Sequence, residues 1–445
     1  MMSIEEKQFQ INQKKIINVL KAADNTPFYH QLFKKNYIQI FDDFTYSDFK
    51  KIPITTKEDF KENYLDFINK EAMPKKLKEC IRLNKGNYKF IDQLLHNYNL
   101  ELYITSGSTG YPLEIIRDIK DLSSNYVELN KFRAKFINPE FLINYIWVLP
   151  ESIGSRKYVF NKKESIFRIN NYGYLACFEV INVENLNKFI NFCQEKEISA
   201  IIAWPTFFDK LASFLNDENK YKLKKVQYLE SNSEYLTTEQ KNRIERIFGI
   251  QITNIYSGNE TNFISASCNN NKMHLLHNNV FLELIPNQFG YYETIITNLN
   301  TNKTPLIRYN LGDVAKWNYS KCSCEIDRLY PFKLYLMNYR NNDYFISKSG
   351  EKYEFNIISD PIHFAQIKFN LSIKKYKVIQ TNFNKIVLHL YIDKVDENSL
   401  KKLKTYMQEY LFEVLEYEVE IEILYGEIIE NDKFEGKYKF FESKI

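Results

Sequence analysis

Along the first 24 residues apolar side chains at Ile4, Ile11, Ile16, Ile17 and Leu20 recur among Lys and Glu, the spacing of an amphipathic helix. Much of the first 90 residues keeps a helical pattern. At Leu100, Leu102 and Ile104 the period drops to two, which predicts a half-buried strand running into a loop that starts at Thr105; residues 113–116 read as the next strand. Thr237 followed by Gln240 is a capping-box pattern, and the helix it opens runs through Ile244 and Ile247 to a stop at Gly249. Strands follow at 251–256, 280–285 and 292–299. This alternation predicts an α/β body. Beyond about Tyr344 the pattern becomes two strands (376–380 and 386–392), a helix striped by Leu400, Leu403, Met407, Leu411, Val414 and Leu415, and a strand at 419–424. That is a compact β-β-α-β unit of about 100 residues.

A chain of 445 residues has room for two or three domains with substantial cores. Its 60 Lys+Arg against 56 Asp+Glu leave a net charge of +4, too weak and mixed to point to nucleic acid or an anionic membrane. No apolar run approaches the roughly 18 residues of a membrane span. Acids near the N-terminus replace the basic start of a secretory signal, so a cytoplasmic location is expected. Six cysteines are too sparse for a disulfide framework, which leaves free thiols or a metal site. Only 12 glycines occur, so their positions are informative.

Two of them fall in Thr105, Ser106, Gly107, Ser108, Thr109 and Gly110, a composition that wraps phosphate oxygens with N–H and hydroxyl donors. No Gly-Lys-Ser/Thr closes it, so it is not a Walker loop; a Ser/Gly-rich turn is the alternative. Tyr256, Ser257, Gly258, Asn259 and Glu260 combine an aromatic face, a turn and a carboxylate able to hold Mg²⁺. Arg308 and Asp313 put a guanidinium near a carboxylate, either a structural pair or a ribose acceptor; Arg340 and Asp343 repeat the theme. Lys437 lies in a Lys-rich tail that by itself reads as solvated charge. Cys268, His274, Cys322 and Cys324 are four ligands suited to tetrahedral Zn²⁺, with His277 a rival and buried free cysteines the alternative.

In this order the segments resemble the adenylate-forming superfamily of acyl-CoA synthetases, adenylation domains and luciferases, nearest to its phenylacetate-CoA ligase and CapK branch. Asn25-Thr26-Pro27-Phe28-Tyr29, residues 52–59 (Ile-Pro-Ile-Thr-Thr-Lys-Glu-Asp), Trp204-Pro205-Thr206 and Ser233-Glu234 carry the likeness over nearly the whole chain. The resemblance implies a large α/β domain (1–342) that binds ATP and a carboxylate, and a small mobile α+β domain (343–445) bearing the catalytic lysine. It implies that 105–110 grip the β- and γ-phosphates, that Ser233, Glu234 and Tyr256 line adenine within a nucleotide site that also takes in Ser257, Gly258 and Asn259, and that Glu260 binds Mg²⁺. Asp313 would take the ribose hydroxyls, Arg340 the ribose or α-phosphate region, and Lys437 the transition state, where an ammonium touching two reacting anions is most useful. Three positions depart from the pattern: Tyr339 precedes Arg340 where Gly is usual, Asn342 stands at the hinge, and Asn259 replaces the Thr before Glu260.

The implied activity is an AMP-forming ligase using ATP and Mg²⁺, in which a carboxylic acid passes through an acyl-adenylate to a thiol such as CoA or to an amine. CapK-type relatives add a role in surface-polysaccharide biosynthesis, and a second copy of the chain is admitted as a partner. The other reading is a catalytically silent nucleotide-binding or zinc-stabilised scaffold that retains the fold.

Overall fold

The computed structural model describes residues 2–104, 114–135, 144–150, 165–178, 181–286, 292–340, 344–369, 371, 373–392, 397–426 and 440–445. The first helix, Ile4–Asp24, begins at a reciprocal cap: Ser3 Oγ accepts from Glu6 N while Glu6 accepts from Ser3 N. Its apolar face, including Phe9, Ile16 and Leu20, is buried against Phe49, Phe281 and Tyr309. Short helices Pro27–Lys35 and Lys57–Asn63 follow, capped by Thr26 and Thr56.

The centre is a twelve-stranded sheet in the order Val280–Pro286, Tyr292–Asn298, Tyr309–Trp317, Lys333–Arg340, Met273–Leu275, Asn262–Ser267, Ile252–Gly258, Tyr228–Ser231, Ala200–Ala203, Tyr145–Pro150, Gly173–Phe178 and Ile166–Arg168. The run from Ile252–Gly258 to Gly173–Phe178 is parallel. Its crossovers include helices Val183–Glu195, Pro205–Phe214 and Thr238–Phe248, since parallel neighbours need a long connection. Ala200–Ala203 and Tyr228–Ser231 are buried throughout, as expected for strands covered on both faces. Helix Thr238–Phe248 has the predicted capping box and ends at Gly249 with φ +71°.

Beyond residue 344, a two-stranded ribbon (Tyr344–Ile346 with Lys352–Glu354) precedes a four-stranded sheet ordered Glu420–Tyr425, Lys385–Ile392, Ile373–Asn382, Phe441–Ser443. Helix Glu397–Leu415 buries Leu400, Leu403, Met407, Leu411 and Leu415 in a core with Val378, Leu388 and Ile421. Val314 of the large sheet joins the same core. The expected β-β-α-β pattern is thus present but incomplete. A helix at Asn356–Phe369 and the strand Phe441–Ser443 extend it; Pro361 inside that helix disguises it, because Pro normally ends helical pattern. The expected junction at 342/343 lies outside the described residues, and among those described no helix is long and apolar enough to cross a membrane.

Candidate active site

The parallel strands bring their carboxyl ends to one edge, where ligands of open α/β sheets bind. Trp204-Pro205-Thr206 leaves the end of Ala200–Ala203, and Ser233-Glu234 leaves the end of its neighbour, Tyr228–Ser231. Ser233 has φ +71°, a left-handed backbone that is strained for a non-glycine residue. Helix Pro205–Phe214 lacks a side-chain cap of its own. Glu234 supplies it from the next loop, accepting from Thr206 N (3.1 Å) and Thr206 Oγ1 (2.5 Å). Lys375, from the C-terminal sheet, donates to the same hydroxyl at 2.6 Å. Burial holds the Lys375 ammonium down to about 8, with Glu234 opposing the shift and Lys210 and Arg243 adding to it. Beside them, Tyr235 meets the edge of Phe440, three residues after Lys437 in sequence, at a centroid distance of 6.4 Å.

The next strand, Ile252–Gly258, carries Tyr256, whose hydroxyl donates to Asp313 Oδ2 at 2.8 Å. The residues implied for adenine and ribose therefore touch. Asp313 lies on Tyr309–Trp317, opposite the backbone of Arg340. Ser257 and Gly258 close a turn with Asn259, Glu260 and Thr261, and the Glu260 carbonyl accepts from Asn298 Nδ2 at 3.2 Å. A Cβ on Gly258 would meet Thr261 Oγ1 at 3.0 Å and Glu260 Oε2 at 3.4 Å, so a larger residue there would press on both side chains. Residues 105–110, the side chain of Arg340, and Lys437 lie outside the described residues.

Arg308 does not pair with Asp313. Its guanidinium grips Glu283 through Nε (2.9 Å) and Nη2 (3.0 Å), and Nη1 donates to the carbonyls of Lys50 and Ile52. The same stretch is held from the other side. Tyr29 OH accepts from Ile307 N at 2.8 Å, Thr55 Oγ1 donates to the Ile307 carbonyl at 3.0 Å, and Thr55 exchanges backbone bonds with Arg308 and Asn310. The two N-terminal segments, 25–29 and 52–59, thus clamp the chain that leads into Asp313. Lys375 and this clamp escape sequence reasoning because their contacts are distant in the chain.

Cys268, His274, Cys322 and Cys324 converge, their ligand atoms all within 4.8 Å of one another. Cys268 Sγ and Cys322 Sγ are 3.6 Å apart, and Cys324 Sγ is 3.4 Å from His274 Nε2. A tetrahedral zinc at about 2.3 Å from sulfur and 2.0 Å from nitrogen sets such pairs about 3.8 and 3.5 Å apart, so the donor set fits. His274 Nδ1 faces the Tyr330 carbonyl at 2.6 Å, which leaves Nε2 toward the thiols. Burial pushes the Cys268 thiol up, and burial with the neighbouring Cys322 takes Cys324 up to about 12. Cys322 goes the other way: burial opposes it, but donors at Cys324, Asn270 and Cys268 outweigh that. His277 packs on Tyr330 and Phe332 and is not part of the group.

No family model matches the chain. In sequence it is 24% identical over 398 residues to Protein CapK of Staphylococcus aureus, covering 85% of this chain and 78% of that protein. In structure it is similar to 2-hydroxyisobutyryl-CoA ligase in the postadenylation state, in complex with R3-HIB-AMP (TM-score 0.65, 15% identity, 98% of this chain and 89% of that one). It is also similar to the acyl acid amido synthetase GH3.15 (TM-score 0.57, 11% identity, 94% and 86%). The chain therefore has the adenylate-forming ligase fold, and its resemblance to that superfamily, toward CapK, runs through both sequence and structure.

Proposed function

We propose that this protein is an AMP-forming ligase. A carboxylate oxygen attacks the α-phosphorus of ATP, the bond to the β-phosphate oxygen breaks, and acyl-adenylate and pyrophosphate form; a thiol or amine then takes the acyl group and AMP leaves. The observation that carries the reading is the bond from Tyr256 to Asp313, which joins two motifs 57 residues apart beside the Glu260 turn. In this reading Asp313 holds the ribose, Tyr256 lies along adenine, and Ser233 and Glu234 shape the adenine loop. Residues 105–110 hold the phosphates, Glu260 holds Mg²⁺, and Lys437 spans the two reacting anions. Magnesium would neutralise charge on the leaving pyrophosphate. Zinc in the Cys₃His group would pin the 322–330 loop to the hairpin of Asn262–Ser267 and Met273–Leu275. The reaction belongs in the cytoplasm, where ATP is supplied.

The test is exchange of labelled pyrophosphate into ATP over a panel of carboxylic acids, followed by transfer assays with CoA and with amino sugars. Acid-dependent exchange that Lys437→Ala abolishes, with ATP binding kept, supports the reading. Unchanged exchange in Lys437→Ala refutes that residue's role; ATP binding without exchange for any acid favours the silent scaffold. Transfer to an amino sugar would extend the likeness to CapK into surface-polysaccharide decoration, and transfer to CoA the likeness to the CoA ligase.

A further inference from the structure

Among the described residues three arginines are buried, and two of them have dedicated carboxylates. Arg133 donates to Glu230 through Nε (2.7 Å) and Nη2, and Arg308 is paired with Glu283 in the same two-pronged way. Arg117, on the strand Glu114–Asp118, is only 5% exposed and has neither an ion pair nor a hydrogen-bond acceptor among the described residues. Its Nη2 is sealed from solvent without a partner. The face of Tyr103 lies 5.9 Å from its Cζ, a contact that shields the cation without neutralising it.

The nearby acids among the described residues have other partners; Glu101, opposite Arg117 in the strand ladder, accepts from the Tyr103 hydroxyl at 2.9 Å. Asp118 pairs with Lys303 and caps the helix Ile119–Arg133, while Asp121 accepts from the backbone of Asn302 and Lys303. Glu260, Asp121 and Tyr126 act on Arg117 through their fields. Two more buried polar atoms lack partners around Glu260: Thr261 Oγ1 on the following residue, and Oδ1 of Asn298, whose amide nitrogen binds the Glu260 carbonyl. A buried guanidinium with no partner is costly, and a polar atom sealed without a bond calls for an occupant.

We propose that Arg117 is a phosphate-binding residue of the nucleotide site, taking phosphoryl oxygens of a polyphosphate whose Mg²⁺ rests on Glu260. The guanidinium gains its counter-charge only when that ligand is bound. This rests on the adenylation reading above and adds to it a residue that the sequence motifs do not mark.

Calorimetric titration of the full chain and its Arg117→Met and Arg117→Lys variants with Mg²⁺-ATP, Mg²⁺-pyrophosphate and AMP tests it. A lost charge-assisted contact should weaken both polyphosphates about tenfold or more in Arg117→Met, leave AMP unchanged, and be partly restored in Arg117→Lys. Because the arginine has no ion pair or hydrogen-bond acceptor among the described residues, Arg117→Met should also melt no lower than wild type. Equal weakening of all three ligands, or none, overturns the proposal. So does unchanged polyphosphate binding with a raised KM for the acid in pyrophosphate exchange, which would assign the guanidinium to a substrate carboxylate. If wild type binds neither ATP nor AMP, the adenylation reading itself fails; if wild type binds both and Arg117→Met matches it, only the Arg117 assignment fails.

Discussion

Removing the Glu283 carboxylate should unmake the strut that carries Asp313. Glu283 is buried and accepts two bonds from Arg308, which also donates to the carbonyls of Lys50 and Ile52. Glu283→Ala leaves a buried guanidinium with half its acceptors, a loss of about 3–5 kcal/mol. That is a large part of the roughly 5–15 kcal/mol that keeps a domain folded. Replacing both partners by Met removes the stranded charge and leaves the two carbonyls unpaired, at about 1 kcal/mol each, so the double variant should be more stable than Glu283→Ala. Urea unfolding of wild type, Glu283→Met, Arg308→Met and the double Met variant gives the coupling energy, expected to exceed about 2 kcal/mol. Because Asp313 lies five residues after Arg308, the single variant should also raise the KM for ATP. A loss below about 1 kcal/mol in Glu283→Ala, or a double variant as unstable as the sum of the singles, would refute the reasoning.

The protein as purified should hold one zinc per chain by metal analysis, and Cys322→Ser with Cys324→Ser should lose it and lower the melting temperature; full stability without metal would remove zinc from the account. The Lys375 ammonium is held down to about 8 from an ordinary 10.5, so its protonated form is penalised in the fold. Its contribution to stability must then grow as pH rises from about 8 toward 10.5. Wild type should gain about 1–2 kcal/mol relative to Lys375→Met over that window, discounted because the side chain keeps some solvent contact; parallel pH profiles of urea stability would contradict this. Tyr256→Phe removes a donor from Asp313 and should raise the KM for ATP several-fold with little change in stability, measured by exchange kinetics and melting.

Local signals in the chain carried much of this architecture. The apolar spacing of residues 4–24, the capping box at Thr237, the stop at Gly249 and the stripe from Leu400 to Leu415 each report a nearby physical need, and each element formed as expected. The Cys₃His group was legible because few residue types bind zinc, though the approach of its halves comes from the pairing of Met273–Leu275 with Asn262–Ser267 and Lys333–Arg340. Contacts between distant segments left no such trace. Tyr29 meets Ile307 across 278 positions, and Lys375 meets Thr206 across 169, with no period or motif to announce either. Arg308 misled because proximity in sequence to Asp313 suggested a pair, whereas Arg308, with φ +47° just before the strand Tyr309–Trp317, reaches Glu283 instead. Arg117 was marked by no motif or period, and its meaning appears once the paired arginines are seen beside it.

The most direct measurement is a crystal structure of the full chain with AMP and Mg²⁺. The account predicts ribose hydroxyls on the Asp313 carboxylate, the base alongside Tyr256 and the Ser233 loop, and the phosphate directed toward the Glu260 turn. Nucleotide density at any other surface, with no nucleotide at the Asp313 carboxylate, would contradict it.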